Sequence, residues 1–441
     1  MAIAALNERF RTRRACVVVA CGVFLFAATL FIARVAVRVG LQSPGTGDAT
    51  DYDLLAMELA AGRGFRFDYD NPRWRSAYER AADDRYAAIL SRHGASKTTF
   101  RPPLFPSMMA AIYSTVGRRF DVVRVVNCLF MAAAGGVTAW LVGRRLGPVP
   151  AVIFGLLFAA IEHRARFHAG LMITESSATF LVSLLVVLLA RLGRVGGWGT
   201  SVLAGVVAGL AILDRSIFVL WMPLLVVLVW RIAANRRWRS VGLFVLAAIL
   251  VMSPWAIRNS LLLGRFAPMG THGWQNFAAA YSDEAIARGG VWFRLDEVGF
   301  FPPELDDSRP GVAREIARAE LSRRAGIRWI RENPAGLIQL MAMRTWQLWR
   351  PRMHWDALIL GLAGLGWLLW PDQREWRVFT AVLLANTLAV AATWSVGGRF
   401  LIPVLPVLHA LAACAVWGAW GLVAAENRGW LRRWLVGRGE R

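Results

Sequence analysis

RRACVVVACGVFLFAATLFIAR, residues 13–34, decides the fold class. Between its flanking arginines the segment carries no charge, and the apolar run 15–36 reaches the length of about 20 residues that crosses a hydrocarbon core. Arg9, Arg11, Arg13 and Arg14 ahead of it resemble the start of a signal peptide. The run is longer than the ~7–15 apolar residues of such a peptide, and no small-x-small cleavage site follows. It therefore reads as an uncleaved first span behind a basic tail, residues 1–14. Further runs lie near 121–143, 149–162, 169–190, 199–213, 216–233, 240–257, 355–370, 376–396 and 400–424. The expectation is an all-α polytopic membrane protein of about ten transmembrane helices. Composition agrees: of 441 residues 56% are apolar and 18% charged, whereas soluble domains hold roughly 45–50% and ~25%. These values exclude a disordered chain, a disulfide scaffold and a collagen-like fibre. They also turn a length suited to about three soluble domains into one membrane module, residues 15–441.

The net charge of +22 invites a nucleic-acid reading, yet 51 basic residues include a single lysine, Lys97, which points to genome composition. No nucleic-acid partner is expected; membrane lipids are. By the positive-inside rule the basic tail is cytoplasmic. Counting spans then places Arg144 and Arg145, Arg191 and Arg194, Arg231 to Arg239, Arg374 and Arg377, and Arg428, Arg432 and Arg433 on that same side. Both termini are thus predicted inside. Cys16, Cys21, Cys128 and Cys414 lie in apolar runs without metal spacing and read as small apolar side chains.

Two loops on the outer face are long, residues 41–104 and 258–354. In Asp48–Ala61 the residues Tyr52, Leu55, Ala56 and Leu59 recur at helical spacing. Similar patterns in Ala313–Ile330 and Ala335–Trp349 are punctuated by Pro334. Amphipathic helices lying on the membrane surface suit them. Gly205-x-x-x-Gly209 reads as a helix-packing pair.

A charge at the bilayer centre costs at least about 2.5–3.5 kcal/mol, so polar groups in or beside spans are candidates for function. Asp48, Arg101, Glu175, Asp214, Arg215, Arg258 and Arg399 all fall near outer span ends. By spacing alone, Asp48 is either the N-cap of its helix, with Asp51 and Asp53 as first-turn acids, or a catalytic carboxylate. Tyr52, at i+4, shares its face. Glu175 lies about one and a half turns into the fourth span, where Thr174, Ser176 and Ser177 offer local hydrogen bonds. Asp214 and Arg215 read either as an interfacial ion pair or as part of a site. Arg101 opens the rigid Arg101-Pro-Pro-Leu-Phe-Pro106. Arg101, Arg258 and Arg399 together suit bidentate binding of a phosphate. His163 and His168 read as surface residues. No phosphate-binding loop, metalloprotease or nucleophile-elbow motif occurs.

The ordered motifs resemble a family. They are Asp48…Tyr52, Ala56-x-x-Leu59-x-x-Gly62-x-Gly64-Phe65, Arg101-Pro-Pro-Leu-Phe-Pro106, Thr174-Glu175, Pro254-Trp255-Ala-Ile-Arg258-Asn259, Glu332-Asn333-Pro334 and Arg399-Phe-Leu-Ile-Pro403. The chain is similar to the bacterial GT-C glycosyltransferases of the protein-mannosyltransferase and aminoarabinose-transferase superfamily. The resemblance implies transfer of a sugar from a polyprenyl-monophosphate carrier to a lipid, glycan or protein acceptor at the outer face of a bacterial plasma membrane. It implies Asp48 as the catalytic residue, Arg101 as a contact to the lipid phosphate, and Glu175 as the acidic residue of the later span. Arg258 and Arg399 match recurring positions. Asp51, Tyr52, Asp214 and Arg215 are expected to bind substrate or organise the site. The large soluble C-terminal domain of some relatives is not expected here.

A glycosyl phosphate already carries a leaving group, so one carboxylate acting as general base suffices for an inverting single displacement. Arginines would stabilise the departing phosphate. No obligatory cofactor is expected; a divalent metal shared by Asp48 and Glu175 is the open option. The competing functions are a transporter or flippase of a polyprenyl-linked sugar, a polyprenyl-diphosphate-dependent glycan polymerase or ligase, and a non-catalytic scaffold.

Overall fold

The structure is a computed structural model and describes residues 13–81, 83–233, 236–305 and 310–423. The basic tail before Arg13 and the Arg428–Arg433 cluster lie outside the described residues. Among the described residues, each of the ten apolar runs overlaps a helix. The first is α1, Arg13–Arg38. The first outer loop then builds α2, Asp48–Ala60, strand β1, Arg66–Asp68, α3, Pro72–Ala81, strand β2, Ala95–Lys97, and α4, Leu104–Val116. Next come α5, Phe120–Leu146, α6, Pro148–Leu156, which runs on as a π turn to Ile161, α7, Glu175–Val195, and α8, Trp198–Asp214. A 3-10 turn at Ser216–Trp221 leads into α9, Met222–Ile232, and α10 is Arg237–Leu263. The second outer loop holds α11, Val312–Glu332, and α12, Pro334–Trp349. Then follow α13, His354–Leu369, α14, Gln373–Ala391, a 3-10 turn at Arg399–Val404, and α15, Leu405–Val423.

Five of these elements are long and apolar enough to cross a membrane on their own: α1, α5, α7, α10 and Arg399–Trp420; others, such as α8 and α13, are apolar but shorter. The chain is an integral membrane protein. Among the described residues, the helices are interrupted by an antiparallel ribbon, where Arg66, Phe67 and Asp68 face Lys97, Ser96 and Ala95. The run 169–190 also turns helical only at Glu175, so this residue opens α7 instead of sitting within it.

Helix packing follows small residues. α1 lies along α5, α8 along α10, and α13 along α15. A Cβ on Gly205 would stand 2.2 Å from the Phe244 carbonyl oxygen, and one on Gly209 2.9 Å from Val251. This pair therefore sets the α8–α10 crossing, as its spacing suggests. Gly366 brings α13 closer still to α15, with Leu411 O 1.7 Å from the place a Cβ would take. At the end expected to be cytoplasmic, Arg145 and Arg194 from two helices converge on Glu375, which is fully buried; Arg194 Nη2 is 3.1 Å from it and 2.5 Å from Asp372.

The first-loop helix α2 does not have one apolar face and one solvated face. Asp51, Asp53 and Glu58 are buried along with Tyr52, Leu54 and Leu55. Glu58 is held by Arg63 at 2.7 and 2.8 Å and by Asn71 at 2.9 Å. Asp53, with no exposure, accepts from the Tyr78 and Tyr113 hydroxyls at 2.8 Å each and from Arg118. Aromatic rings of the ribbon and α3, among them Phe67, Tyr69 and Trp74, cover the helix together with Trp255 of α10. The loop is thus a packed cap docked on the bundle.

Removing one partner of a buried pair leaves an uncompensated charge and costs about 3–5 kcal/mol. Arg118→Ala is accordingly expected to lower the thermal midpoint in detergent strongly, while Arg119→Ala, at an exposed pair with Asp121, leaves it nearly unchanged.

Candidate active site

The ends of α2, α4, α7, α8 and the Arg399 turn meet around one cavity of about 520 Å³, lined among others by Asp48, Asp51, Tyr52, Arg101, Arg215 and Arg399. The residues that the sequence scatters over 350 positions form one chain of alternating charge. Arg101 Nη2 lies 2.6 Å from Asp51 Oδ2 and 2.8 Å from Asp48 Oδ1. Arg399 Nη1 donates to Asp48 Oδ2 at 2.9 Å, and its Nε donates to Glu175. Arg215 Nη1 closes the series on Glu175 Oε1 at 2.5 Å. Three carboxylates and three guanidiniums thus alternate, and the chain is neutral overall.

Local structure explains each placement. Gly47 has φ 60° and ψ −126°, a conformation open to glycine, and it ends the loop so that Asp48 starts α2. The cap position is Gly47 with no side-chain cap bond, so Asp48 is not the N-cap and its carboxylate is available to the cavity. Pro102 and Pro103 hold the backbone after Arg101, whose guanidinium lies 5.0 Å over Phe100 and 5.5 Å over Tyr52. Gly398, at φ 78°, caps the turn that aims Arg399 inward. Helix α5 supplies the backing: Arg124 donates at 2.6 Å to the carbonyls of Ser43 and Gly170. Its Asn127 donates to Leu171 and Ile173. The loops that present Asp48 and Glu175 are therefore fastened to the same helix.

Several expectations change. Asp214 and Arg215 are not an ion pair with each other: Ser177 donates to Asp214 at 3.0 Å, while Arg215 turns to Glu175. Thr174, Ser176 and Ser177 do not satisfy Glu175, whose partners are the two arginines. Arg258 is not among the cavity-lining residues. It donates to the carbonyls of Thr98 at 3.0 Å and Phe65 at 2.9 Å and stacks on Trp255, so it fastens the ribbon to α10. Between Asp48 and Glu175 stands the Arg399 guanidinium, in the position a shared metal would need.

The structure also adds residues with no sequence signal. His272, from the second outer loop, lines the cavity beside Phe100. Burial, reinforced by Arg101, pushes it down to about 3, so it faces the site as a neutral imidazole. Glu315 of α11 clasps the two outer loops together, bonding the Thr98, Thr99 and Thr271 hydroxyls and the Thr99 amide. Burial alone would push Asp48 up, but Arg101 and then Arg399 hold its carboxyl well below the usual carboxylate range.

Residues 100–257 match the family described as dolichyl-phosphate-mannose-protein mannosyltransferase. No curated protein sequence matches the chain significantly. Among solved structures, the archaeal oligosaccharyltransferase AglB from Archaeoglobus fulgidus, in complex with an inhibitory peptide and a dolichol-phosphate, is 14% identical with a TM-score of 0.53. The match covers 93% of this chain and 52% of that one. ArnT from Cupriavidus metallidurans bound to undecaprenyl phosphate is 16% identical with a TM-score of 0.49, over 91% of this chain and 63% of that one. The chain thus spans about half to two-thirds of the length of these proteins, and identities this low speak for the fold alone. In sequence over residues 100–257 and in fold over most of its length, the chain is similar to the GT-C glycosyltransferases, the family its ordered motifs resemble.

Proposed function

We propose that the protein transfers a sugar from a polyprenyl-monophosphate carrier to an acceptor hydroxyl at the outer face of a bacterial plasma membrane. One observation carries this reading: a carboxylate open to a 520 Å³ cavity is held between two guanidiniums, Arg101 and Arg399, that can each re-pair with a phosphate. The structurally similar archaeal AglB is in complex with a dolichol-phosphate, which supports the donor class.

In the mechanism that follows from this geometry, Asp48 is the general base. Bound tightly to two arginines it is a weak one. A donor phosphate arriving between Arg101 and Arg399 competes for the same N–H groups. As those bonds shift to phosphate oxygens, the Asp48 carboxylate loses its stabilisation and its basicity rises where the acceptor hydroxyl must lose a proton. The O–H proton passes to Asp48 as the acceptor oxygen attacks the anomeric carbon. The carbon–oxygen bond to phosphate breaks with inversion, and the arginines hold the charge gathering on the leaving phosphate. Glu175 and Arg215 keep Arg399 extended toward the cavity, and Asp51 and Tyr52 do the same for Arg101. Arg258 acts at a distance, through the ribbon. Arg399 bridges Asp48 and Glu175, the two carboxylates that a shared divalent ion would otherwise hold.

Asp48→Asn is expected to lower transfer by about 10²–10⁴-fold, the usual worth of a positioned base, with unchanged membrane insertion. Full activity in this variant, measured as release of carrier phosphate from a polyprenyl-phosphate sugar, would overturn the assignment. Arg101→Ala should raise KM for the donor more than for the acceptor; equal effects would argue against phosphate contact.

The pH dependence has a definite sign. Positive neighbours depress the Asp48 pKa, so in the free enzyme the carboxylate stays ionised far into acid. Its protonation therefore leaves no acid limb in kcat/KM near neutral pH. Arg399→Gln removes one of those charges, raises the Asp48 pKa and moves the acid limb upward in pH, which a pH profile of the residual activity reads directly.

A further inference from the structure

Four hydrogen bonds converge on the Glu315 carboxylate of α11, and every donor is neutral. The Thr98 hydroxyl donates to Oε1. The Thr99 amide reaches Oε2 at 3.1 Å, and the Thr99 and Thr271 hydroxyls stand 3.2 Å from the same oxygen. All three threonines are buried, where an amide or hydroxyl without an acceptor is costly. Burial pushes the Glu315 carboxyl up, and these bonds oppose the shift.

Both segments that meet here run on into the cavity. Arg101 follows two residues after Thr99, His272 comes directly after Thr271, and both line the cavity. The loops are pressed together at this point. Gly270 has φ 69°, and a Cβ on it would stand 2.2 Å from the Thr99 carbonyl oxygen. The chain between the clasp and Arg101 is stiff. Thr98 Oγ1 accepts from the Phe100 amide at 3.0 Å, and Arg258 holds the Thr98 carbonyl at 3.0 Å. Pro102 then confines the backbone of Arg101 to extended conformations. A shift at Thr99 is therefore passed on to the Arg101 guanidinium.

Other buried carboxylates differ. Asp53 and Glu58 hold the first outer loop together through guanidiniums, and neither lines the cavity. Glu315 does line it, so a change in its hydrogen bonds is felt where substrate would bind.

We propose that Glu315 is a positioning residue for the donor phosphate. Through Thr98 and Thr99 it fixes Arg101 where the guanidinium can turn from Asp48 to a phosphate oxygen, and through Thr271 it sets His272 beside it. The inference rests on the reading of Arg101 as the phosphate contact. Glu315 itself touches no reacting atom.

The test is binding of undecaprenyl phosphate to full-length protein in detergent, measured by titration calorimetry with the thermal midpoint alongside. Glu315→Ala should weaken binding by about 10- to 100-fold, the cost of misplacing a binding group by about an ångström. Thr98→Val keeps the side-chain shape while removing one donor. It should act in the same direction by a smaller factor, and it serves if Glu315→Ala does not fold. Coupling is the readout that a merely structural role would not move. In an Arg101→Ala background, Glu315→Ala should add no further loss, whereas a general loosening of the loops adds to it. The proposal is overturned if Thr98→Val and any folded Glu315→Ala protein bind as wild type does, or if the losses at Glu315 and Arg101 add. Absence of binding by wild type, or binding that Arg101→Ala leaves unchanged, overturns the phosphate reading itself and this proposal with it.

Discussion

Glu175 has no solvent exposure, and the guanidiniums of Arg215 and Arg399 neutralise it from two sides. Much of the arrangement follows from that requirement. A lone carboxylate at this depth would cost several kcal/mol or would take up a proton. With two arginines drawn to it, the positive charge exceeds the negative, and Asp48 and then Asp51 with Arg101 extend the alternation until it reaches the cavity. The chain of charges is therefore one unit. Asp48 and Arg399 at its middle are its most exposed members and can exchange partners with a ligand, whereas Glu175 is locked.

Scaffold and site are linked by the same economy of polar groups. Helix α5 crosses the bundle as an apolar element, but near its first-loop end it carries Arg124 and Asn127, both buried. Their donors satisfy carbonyls of two separate loops, one leading to Asp48 and one to Glu175. Loop backbone buried from water is tolerated only where protein groups meet its hydrogen-bonding needs. The interactions that make these loops stable thus also fix where the carboxylates point. Similarly, Glu315 joins the two outer loops by accepting from three threonines, and so brings His272 against Arg101 and Asp48.

The long apolar helices were legible because they depend on local composition: about 20 apolar residues in a row are long enough to cross a membrane wherever they occur. The helices Val312–Glu332 and Pro334–Trp349 were legible for the same reason, with Pro334 marking the break. Gly205 and Gly209 were legible because helical spacing puts both on one face. Asp53, Arg118 and His272 were not. Each takes its meaning from groups that lie far along the chain; Arg118 reaches back 65 residues to Asp53. Arg258 was misleading in the other direction. An arginine beside a span end looks like an anion site, and only the neighbouring carbonyls of Phe65 and Thr98 reveal that its donors are already engaged.

The sequence by itself determined that the chain enters a membrane, where its long apolar helices fall, and that Asp48, Arg101, Glu175 and Arg399 belong to ordered motifs. These properties reside in residue type and short-range spacing. Only the tertiary structure decided who pairs with whom. Asp48 faces two arginines instead of capping its helix, Asp214 and Arg215 part company, and Glu162 meets His409 across about 250 residues of chain. Charge pairing acts over a few ångströms in a medium of low dielectric. Which opposite charges come within that distance is fixed by how the helices cross, and helix crossing is a property of the whole packed bundle.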